Sequence, residues 1–283
     1  MILEGNSLAS LIAAEGIVTA PGVYNGLSAR LAEEVGFSAV YASGGAIARS
    51  TGVPDIGLLT LTEVADRVRQ IVNAIQLPVI ADADTGFGNE VNVKRTVELF
   101  ENAGVSAVHI EDQEFPKRCG HLEGKSLISA EDMCTKVAVA KKYSGKMMVI
   151  ARTDAIGVAG VKNSFDDAIE RARAYSEAGA DMIFVEAPQT IEHIEQIAKQ
   201  VSGPKLINMF YGGKTPVVST EDLKAMGYQL IIIPSDLQRA AVTAMKETLQ
   251  VIRRDGNSGA IADGMMTFAE RERLVKTKEF LKP

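Results

Sequence analysis

Cys119 stands among Lys117, Arg118 and His121 in the run PKRCGHLEGK, residues 116–125. Cations beside a thiol lower its pKa, so this setting predicts a cysteine usable as an acid or base near neutrality. The other cysteine, Cys134, falls inside an amphipathic helical pattern and reads as a small core residue. A nucleophilic thiol with a histidine partner is a second reading of Cys119. No further nucleophile signature accompanies it, however, and it leaves the acidic residues of the chain without a role.

Those acidic residues sit where apolar runs end. VIADADTGFG offers Asp82 and Asp84 at i and i+2 before a Gly-containing turn, and VHIEDQ adds Glu111. Hard oxygen donors of this kind suit Mg²⁺ or Mn²⁺, which keep several waters and leave positions for substrate oxygens. Any one of them reads equally well as a helix cap or a partner for loop amides. Three at the ends of successive strands point to a metal site. YASGG, residues 41–45, is either an anion cradle of backbone N–H groups or a plain tight turn. His109 is expected to fill a polar layer inside the fold, and His193, between Glu192 and Glu195, to sit solvated on a surface helix.

Positioning such residues together requires parallel strands with their C-terminal ends at one mouth. Eight short runs rich in β-branched residues, 17–21, 39–43, 79–82, 107–111, 147–152, 182–186, 205–208 and 229–234, each precede a polar turn. Amphipathic segments at 61–75, 91–103, 130–142, 165–178, 191–201 and 221–226 lie between them, several closed by Gly. This alternation gives right-handed βα crossovers. Eight units favour closure into a (β/α)₈ barrel over an open doubly wound sheet. Ser43, Asp82, Asp84, Glu111, Asp112, Arg152, Asp154, Glu186 and Asn208 then fall at the catalytic end of the barrel. Strand alternation places Asp82 with Asp84 on one face, His109 with Glu111, and Arg152 with Asp154. Further helical segments at 240–254 and 267–281 exceed what the last barrel helix needs and are expected to pack elsewhere, on another subunit.

Composition agrees with one barrel domain over residues 1–283 and with a small-molecule partner. The net charge is −6, with 46% hydrophobic residues and only 2 cysteines. That balance gives no broad attraction to nucleic acid or anionic membrane. The opening MILEGNSLASLIAAEG has neither a basic leader nor a long apolar run, so a cytoplasmic protein is expected.

Taken together, YASGG, PDIGLLT, ADADTGFGN, HIEDQ, PKRCGHLEGK, IARTDA, EAP and NMFYGGKTP resemble the isocitrate lyase/phosphoenolpyruvate mutase superfamily over essentially the whole chain. KRCGH is similar to the mark of its lyase branch, where the cysteine is a general acid. The resemblance implies a barrel whose eighth helix is exchanged between subunits of a homotetramer, and a Mg²⁺-dependent carbon–carbon lyase. Its substrate would be a 2-hydroxy di- or tricarboxylate, cleaved to pyruvate or another 2-oxo acid plus a carboxylate. 2-Methylisocitrate ranks first, a dimethylmalate-type acid second and oxaloacetate third. Carboxyphosphonoenolpyruvate phosphonomutase chemistry on the same metal site and a non-enzymatic dicarboxylate-binding barrel are the alternatives. By resemblance, Asp82 is the direct metal ligand, with Asp55, Asp84 and Glu111 acting through metal-bound waters. Tyr41, Ser43, Gly44, Gly45 and Arg152 hold the carboxylate of the 2-oxo acid unit, and Lys117, Gly120 and His121 shape a gating loop. Glu186 and Asn208 line the second substrate half, and Cys119, Arg152 and Glu111 form the catalytic set. One departure concerns specificity: relatives with an N-x-x-E pattern carry Glu where this chain has Tyr211, which predicts a neutral phenol in place of an acidic pocket residue.

Overall fold

The computed structural model describes residues 7–158 and 163–282. Residues 1–6 of the opening segment lie outside that range. Eight parallel strands close a barrel in sequence order. They are β1 (Val18–Val23), β2 (Val40–Ala42), β3 (Val79–Asp82), β4 (Ala107–Glu111), β5 (Met148–Thr153), β6 (Met182–Val185), β7 (Lys205–Asn208) and β8 (Leu230–Ile233). The expected strands are all present, with ends shifted by a residue or two. β1 runs two residues past its expected end at Pro21. Gly22 lies so close to β8 that an added Cβ would meet the Pro234 backbone at 2.3 Å, so only glycine fits there.

The helices are α1 (Leu8–Glu15), α2 (Gly26–Val35), α3 (Gly44–Ser50), α4 (Leu61–Ala74), α5 (Glu90–Ala103), α6 (Ala130–Tyr143), α7 (Ser164–Glu177), α8 (Ile191–Gln200), α9 (Thr220–Met226), α10 (Asp236–Asp255), α11 (Phe268–Leu274) and α12 (Thr277–Phe280). Local chemistry accounts for many of their limits. Thr60 and Glu63 form a capping box at the start of α4, and Gly104 takes the left-handed conformation that ends α5. Three helices escape the sequence pattern: α1, α2 and α3. The expected single helix over 267–281 is also divided. Lys276 adopts a left-handed φ of 60°, which splits it into α11 and α12.

Side chains alternate along each strand between two apolar layers. Val40, Val79, Val108, Val149, Ile183, Ile207 and Ile231 face the helices. Val18, Ala20, Tyr41, Ile80, Ile150, Phe184, Leu206 and Ile232 fill the barrel, whose N-terminal end is closed by Leu8 of α1. The same alternation carries Asp82, His109, Glu111, Arg152, Glu186 and Asn208 to the inner face. α10 differs from the barrel helices. Val242, Met245, Leu249 and Ile252 are all exposed on it, and Gln238 is its one buried residue. Beyond it, Leu274 of α11 is buried and Arg273 pairs with Glu34 of α2 at 2.7 Å.

Candidate active site

The inner face of the barrel changes from apolar to polar at the C-terminal ends of the strands. His109 is buried and its Nε2 lies 2.7 Å from the Tyr41 hydroxyl, which in turn donates to Asp82 Oδ2 at 3.1 Å. Because the tyrosine proton is directed to Asp82, the His109 Nε2–H donates to Tyr41. Burial lowers the His109 pKa to about 4, so the ring is neutral at pH 7 and serves the polar layer expected of it. Burial opposes ionisation of Asp82, yet the surrounding His109, Lys117 and Arg152 hold its pKa at about 2.

Asp84 reaches the same mouth by another route than strand alternation. β3 stops at Asp82, and Asp84 turns back with φ 47° while its N–H donates to Asp82 Oδ1 at 3.0 Å. The Lys117 ammonium lies 2.5 Å from Asp55 and 2.7 Å from Asp84, bringing a residue from the loop after α3 into the cluster. Burial, followed by the charges of Asp82 and Asp55, outweighs Lys117 and raises Asp84 to about 6. Glu111 is fully buried and neither of its oxygens has a hydrogen-bond partner among the described residues. Burial pushes its pKa well up even though the Arg152 guanidinium stands 3.2 Å away.

These features fit a divalent cation. Oxygen donors of Asp55, Asp82, Asp84 and Glu111 converge with orphaned lone pairs and surplus negative charge, and they are the hard donors that Mg²⁺ or Mn²⁺ takes. An added Cβ on Gly44 would meet Asp82 Oδ2 at 2.6 Å, so the chain leaves the carboxylate uncovered. Among the described residues no three His, Cys, Asp or Glu side chains are close enough to clasp an ion directly.

A cavity of about 460 Å³ opens beside this cluster. Tyr41, Ser43, Gly45, Asp55, Asp82, Lys117, Cys119, Gly120, His121, Arg152, Glu186 and Asn208 all line it. Gly44 and Asp84 border a small adjoining pocket instead, and Glu111 lies behind Arg152. YASGG proves to be more than a tight turn. Ser43 caps α3, accepting from the Ala46 N–H at 3.3 Å, and Gly44 and Gly45 form the first helical turn. Their N–H groups belong to the unpaired set at a helix start.

Arg152 is held by a fork: Nε and Nη2 donate to Asp154 at 2.9 and 3.0 Å. Glu186 lies 3.5 Å from Nη2, and burial of its carboxylate is outweighed by Arg152 and His121, so its pKa is lowered. His121 Nδ1 accepts the Lys214 N–H at 3.2 Å, which leaves Nε2 protonated toward Glu186 at 3.2 Å. Asn208 donates to Glu186 at 3.3 Å, and its carbonyl oxygen has no partner among the described residues.

Two expectations need correction. The Cys119 thiol is raised, because burial and Asp55 outweigh the lowering by Arg152 and Lys117. Lys117 is committed to Asp55 and Asp84, Arg118 bonds the Glu123 carbonyl, and His121 turns to Glu186. Tyr211 is 77% exposed and does not line the cavity. Its neighbour Phe210 does, packed edge-on against His121 at 4.6 Å. Arg49, Lys214, Gln238 and Arg239 also line the cavity and were missed. Lys214 sits in the NMFYGGKTP run, but nothing local marks Arg49, Gln238 or Arg239.

Comparison with known proteins agrees with this geometry. A model of the phosphoenolpyruvate phosphomutase family matches residues 8–253. The 2-methylisocitrate lyase of Aeropyrum pernix is 44% identical over 278 residues, covering 98% of this chain and 89% of that protein. The crystal structure of a 2,3-dimethylmalate lyase, a PEP mutase/isocitrate lyase superfamily member, superposes with TM-score 0.89 at 39% identity, covering 97% of this chain and 93% of that one. A phosphonopyruvate hydrolase crystallised with oxalate and Mg²⁺ gives TM-score 0.85 at 31% identity, covering 97% and 96%. A closed barrel with this mouth, matched along nearly its full length to such relatives, makes the chain a lyase belonging to the phosphoenolpyruvate phosphomutase family, within the PEP mutase/isocitrate lyase superfamily.

Proposed function

We propose that this protein is a Mg²⁺-dependent carbon–carbon lyase that cleaves a 2-hydroxy di- or tricarboxylate into pyruvate, or another 2-oxo acid, and a second carboxylate. The observation that carries this is the meeting, at one barrel mouth, of the Asp82-centred carboxylates, the forked Arg152 and a protonated thiol at Cys119. Asp82 would hold the ion directly and Asp55, Asp84 and Glu111 through waters. Bound there, the ion supplies Lewis acidity toward the oxygens of the substrate's 2-hydroxy acid unit.

The protein's own groups do the rest. Ser43 and the N–H groups of Gly44 and Gly45 cradle the carboxylate of the 2-oxo acid unit, with Tyr41 backing Asp82. Arg152, fixed by Asp154, presents its remaining donors to negative charge as it develops. Cys119, kept protonated by burial, gives its proton to the carbon released by cleavage. Glu186, Asn208 and His121 face the second half of the substrate. Lys117 and Gly120 bring the loop down over it, excluding water.

Among substrates, 2-methylisocitrate ranks first, because the relatives bearing that activity in their names span the chain at up to 44% identity. A dimethylmalate-type acid ranks second and oxaloacetate third. Pyruvate release measured over a panel of 2-hydroxy diacids and triacids, with oxaloacetate and a phosphonate substrate included, tests the assignment. Metal-dependent pyruvate formation from 2-methylisocitrate is expected to be fastest. Turnover of the phosphonate alone would replace it with phosphonomutase chemistry.

We also infer a cytoplasmic homotetramer in which α10 and the segments after it, residues 240–283, meet a neighbouring subunit. The apolar stripe Val242, Met245, Leu249 and Ile252 supports this, since it recurs at the 3- and 4-residue steps of one helix face and is left exposed by the described residues. Both cysteines are free, as a reducing compartment requires. No helix among the described residues is long and apolar enough to cross a membrane. Leu249→Lys should lower the mass measured by light scattering while leaving the circular dichroism spectrum unchanged. An unaltered oligomeric mass would rule out the stripe as an interface.

A further inference from the structure

Lys125 closes the PKRCGHLEGK run and is buried, yet it is neither in the cavity lining nor given a role by the chemistry above. Its ammonium donates to the Gly120 carbonyl at 2.6 Å and to Asp154 Oδ1 at 3.0 Å. Asp154 is the same carboxylate that forks Arg152, and Oδ1 is the oxygen that accepts from Arg152 Nη2. A single buried ammonium thus joins the backbone beside Cys119 to the group that orients the guanidinium. Gly120 confirms how closely the loop is seated. A Cβ there would meet Arg152 Nη2 at 2.5 Å, Glu186 at 2.7 Å and Asp154 Oδ1 at 3.0 Å. On the far side, a Cβ on Gly157 would meet Lys125 Nζ at 2.6 Å, so the ammonium is walled in by the turn after β5.

We propose that Lys125 is a positioning residue that makes seating of the Cys119 loop and alignment of Arg152 one event. When the loop lifts, the Gly120 carbonyl leaves Lys125, and Asp154 loses the firm seating of the oxygen it shares with Arg152. When the loop is down, the acid and the charge-stabilising fork are in register together. Buried charge-assisted hydrogen bonds are the strong ones, and leaving one partner unpaired is costly, so the coupled state is held as a unit. The Arg152 half of this inference rests on the active-site reading, whereas the tether itself does not.

Lys125→Met removes the ammonium and keeps the apolar stem. Two measurements apply: alkylation of Cys119 by iodoacetamide in the free protein, with Cys134 as internal reference, and kcat and KM on the best substrate. Cys119 alkylation is expected to accelerate at least about tenfold, because a thiol exposed by loop opening reacts faster. Loss of a nearby cation alone would disfavour the thiolate and slow the reaction, so the sign separates opening from electrostatics. kcat should fall about 10²-fold with KM changed less than about threefold, the pattern of an interaction needed in the transition state. Lys125→Arg, which keeps the charge and donors, should restore part of both; if Lys125→Met does not fold, Lys125→Gln takes its place, and wild-type alkylation and turnover in it would overturn the tether. Unchanged or slower alkylation in a folded Lys125→Met protein also overturns it. Accelerated alkylation with unchanged kcat overturns the coupling to Arg152. If the wild type shows no metal-dependent turnover at all, the active-site reading fails, and the coupling to Arg152 with it.

Discussion

Asp82→Ala is expected to cut turnover by at least about 10³-fold, since the Lewis acidity of a bound metal is worth several kcal/mol of transition-state stabilisation and each tenfold in rate is about 1.4 kcal/mol. The fold should survive. Asp82 lies at the end of β3, and its removal spares the Tyr41–His109 hydrogen bond below it. Retained Mn²⁺ binding by electron paramagnetic resonance, together with wild-type turnover, would refute the ligand assignment. In the wild type, activity should follow Mg²⁺ or Mn²⁺ and vanish on chelation, and Ca²⁺, larger and more loosely coordinated, should substitute poorly. Undiminished turnover in metal-free buffer would remove the metal from the mechanism altogether.

Cys119→Ser should lower kcat by about 10²–10⁴, the usual cost of losing a positioned general acid. Serine keeps nearly the shape of cysteine but is far too weak an acid, so a cysteine that merely packed the loop would tolerate the change. Metal and oxalate binding should persist. Cys134→Ser is the control: Cys134 packs partly buried against the core on α6, and its loss should affect stability more than rate. The structure also gives the sign of the pH dependence. Burial and Asp55 raise the Cys119 pKa, so the thiol is protonated and competent at neutral pH, and activity is lost as pH rises through that raised value, above the ordinary thiol range. A Cys119→Ser variant with wild-type turnover, or a rate that climbs with pH through that region, would falsify the acid role.

The barrel was legible because the forces that make strands and helices leave short-range traces. β3, β4 and β7 fall at the expected residues because β-branched runs bounded by turns bury one way only. Asp82, His109, Glu111 and Arg152 were readable for the same reason, since period-2 alternation and strand-end position follow from the local run. α3 was hidden because Gly44-Gly45 is poor helix-forming sequence, and the helix starts there only because Ser43 caps it and the barrel packs Ile47. The break at Lys276 has no sequence signal either, because lysine rarely adopts a left-handed backbone.

Local patterning thus accounts for the order of strands and helices, the end of the barrel that carries chemistry and the residue types gathered there. Which charge meets which follows from contacts made across the closed barrel. Lys117 stands two residues before Cys119 and pairs with Asp55 and Asp84, so its pull on the thiol, with that of Arg152, is outweighed by burial and by Asp55. Tyr211, expected to present a phenol to the pocket, points to solvent while Phe210 takes the cavity wall. Arg239 is invisible as a site residue until the first turn of α10 is placed beside the cavity. Burial, dielectric and ion pairing depend on contacts far apart in the chain, and those contacts exist only once the barrel has closed.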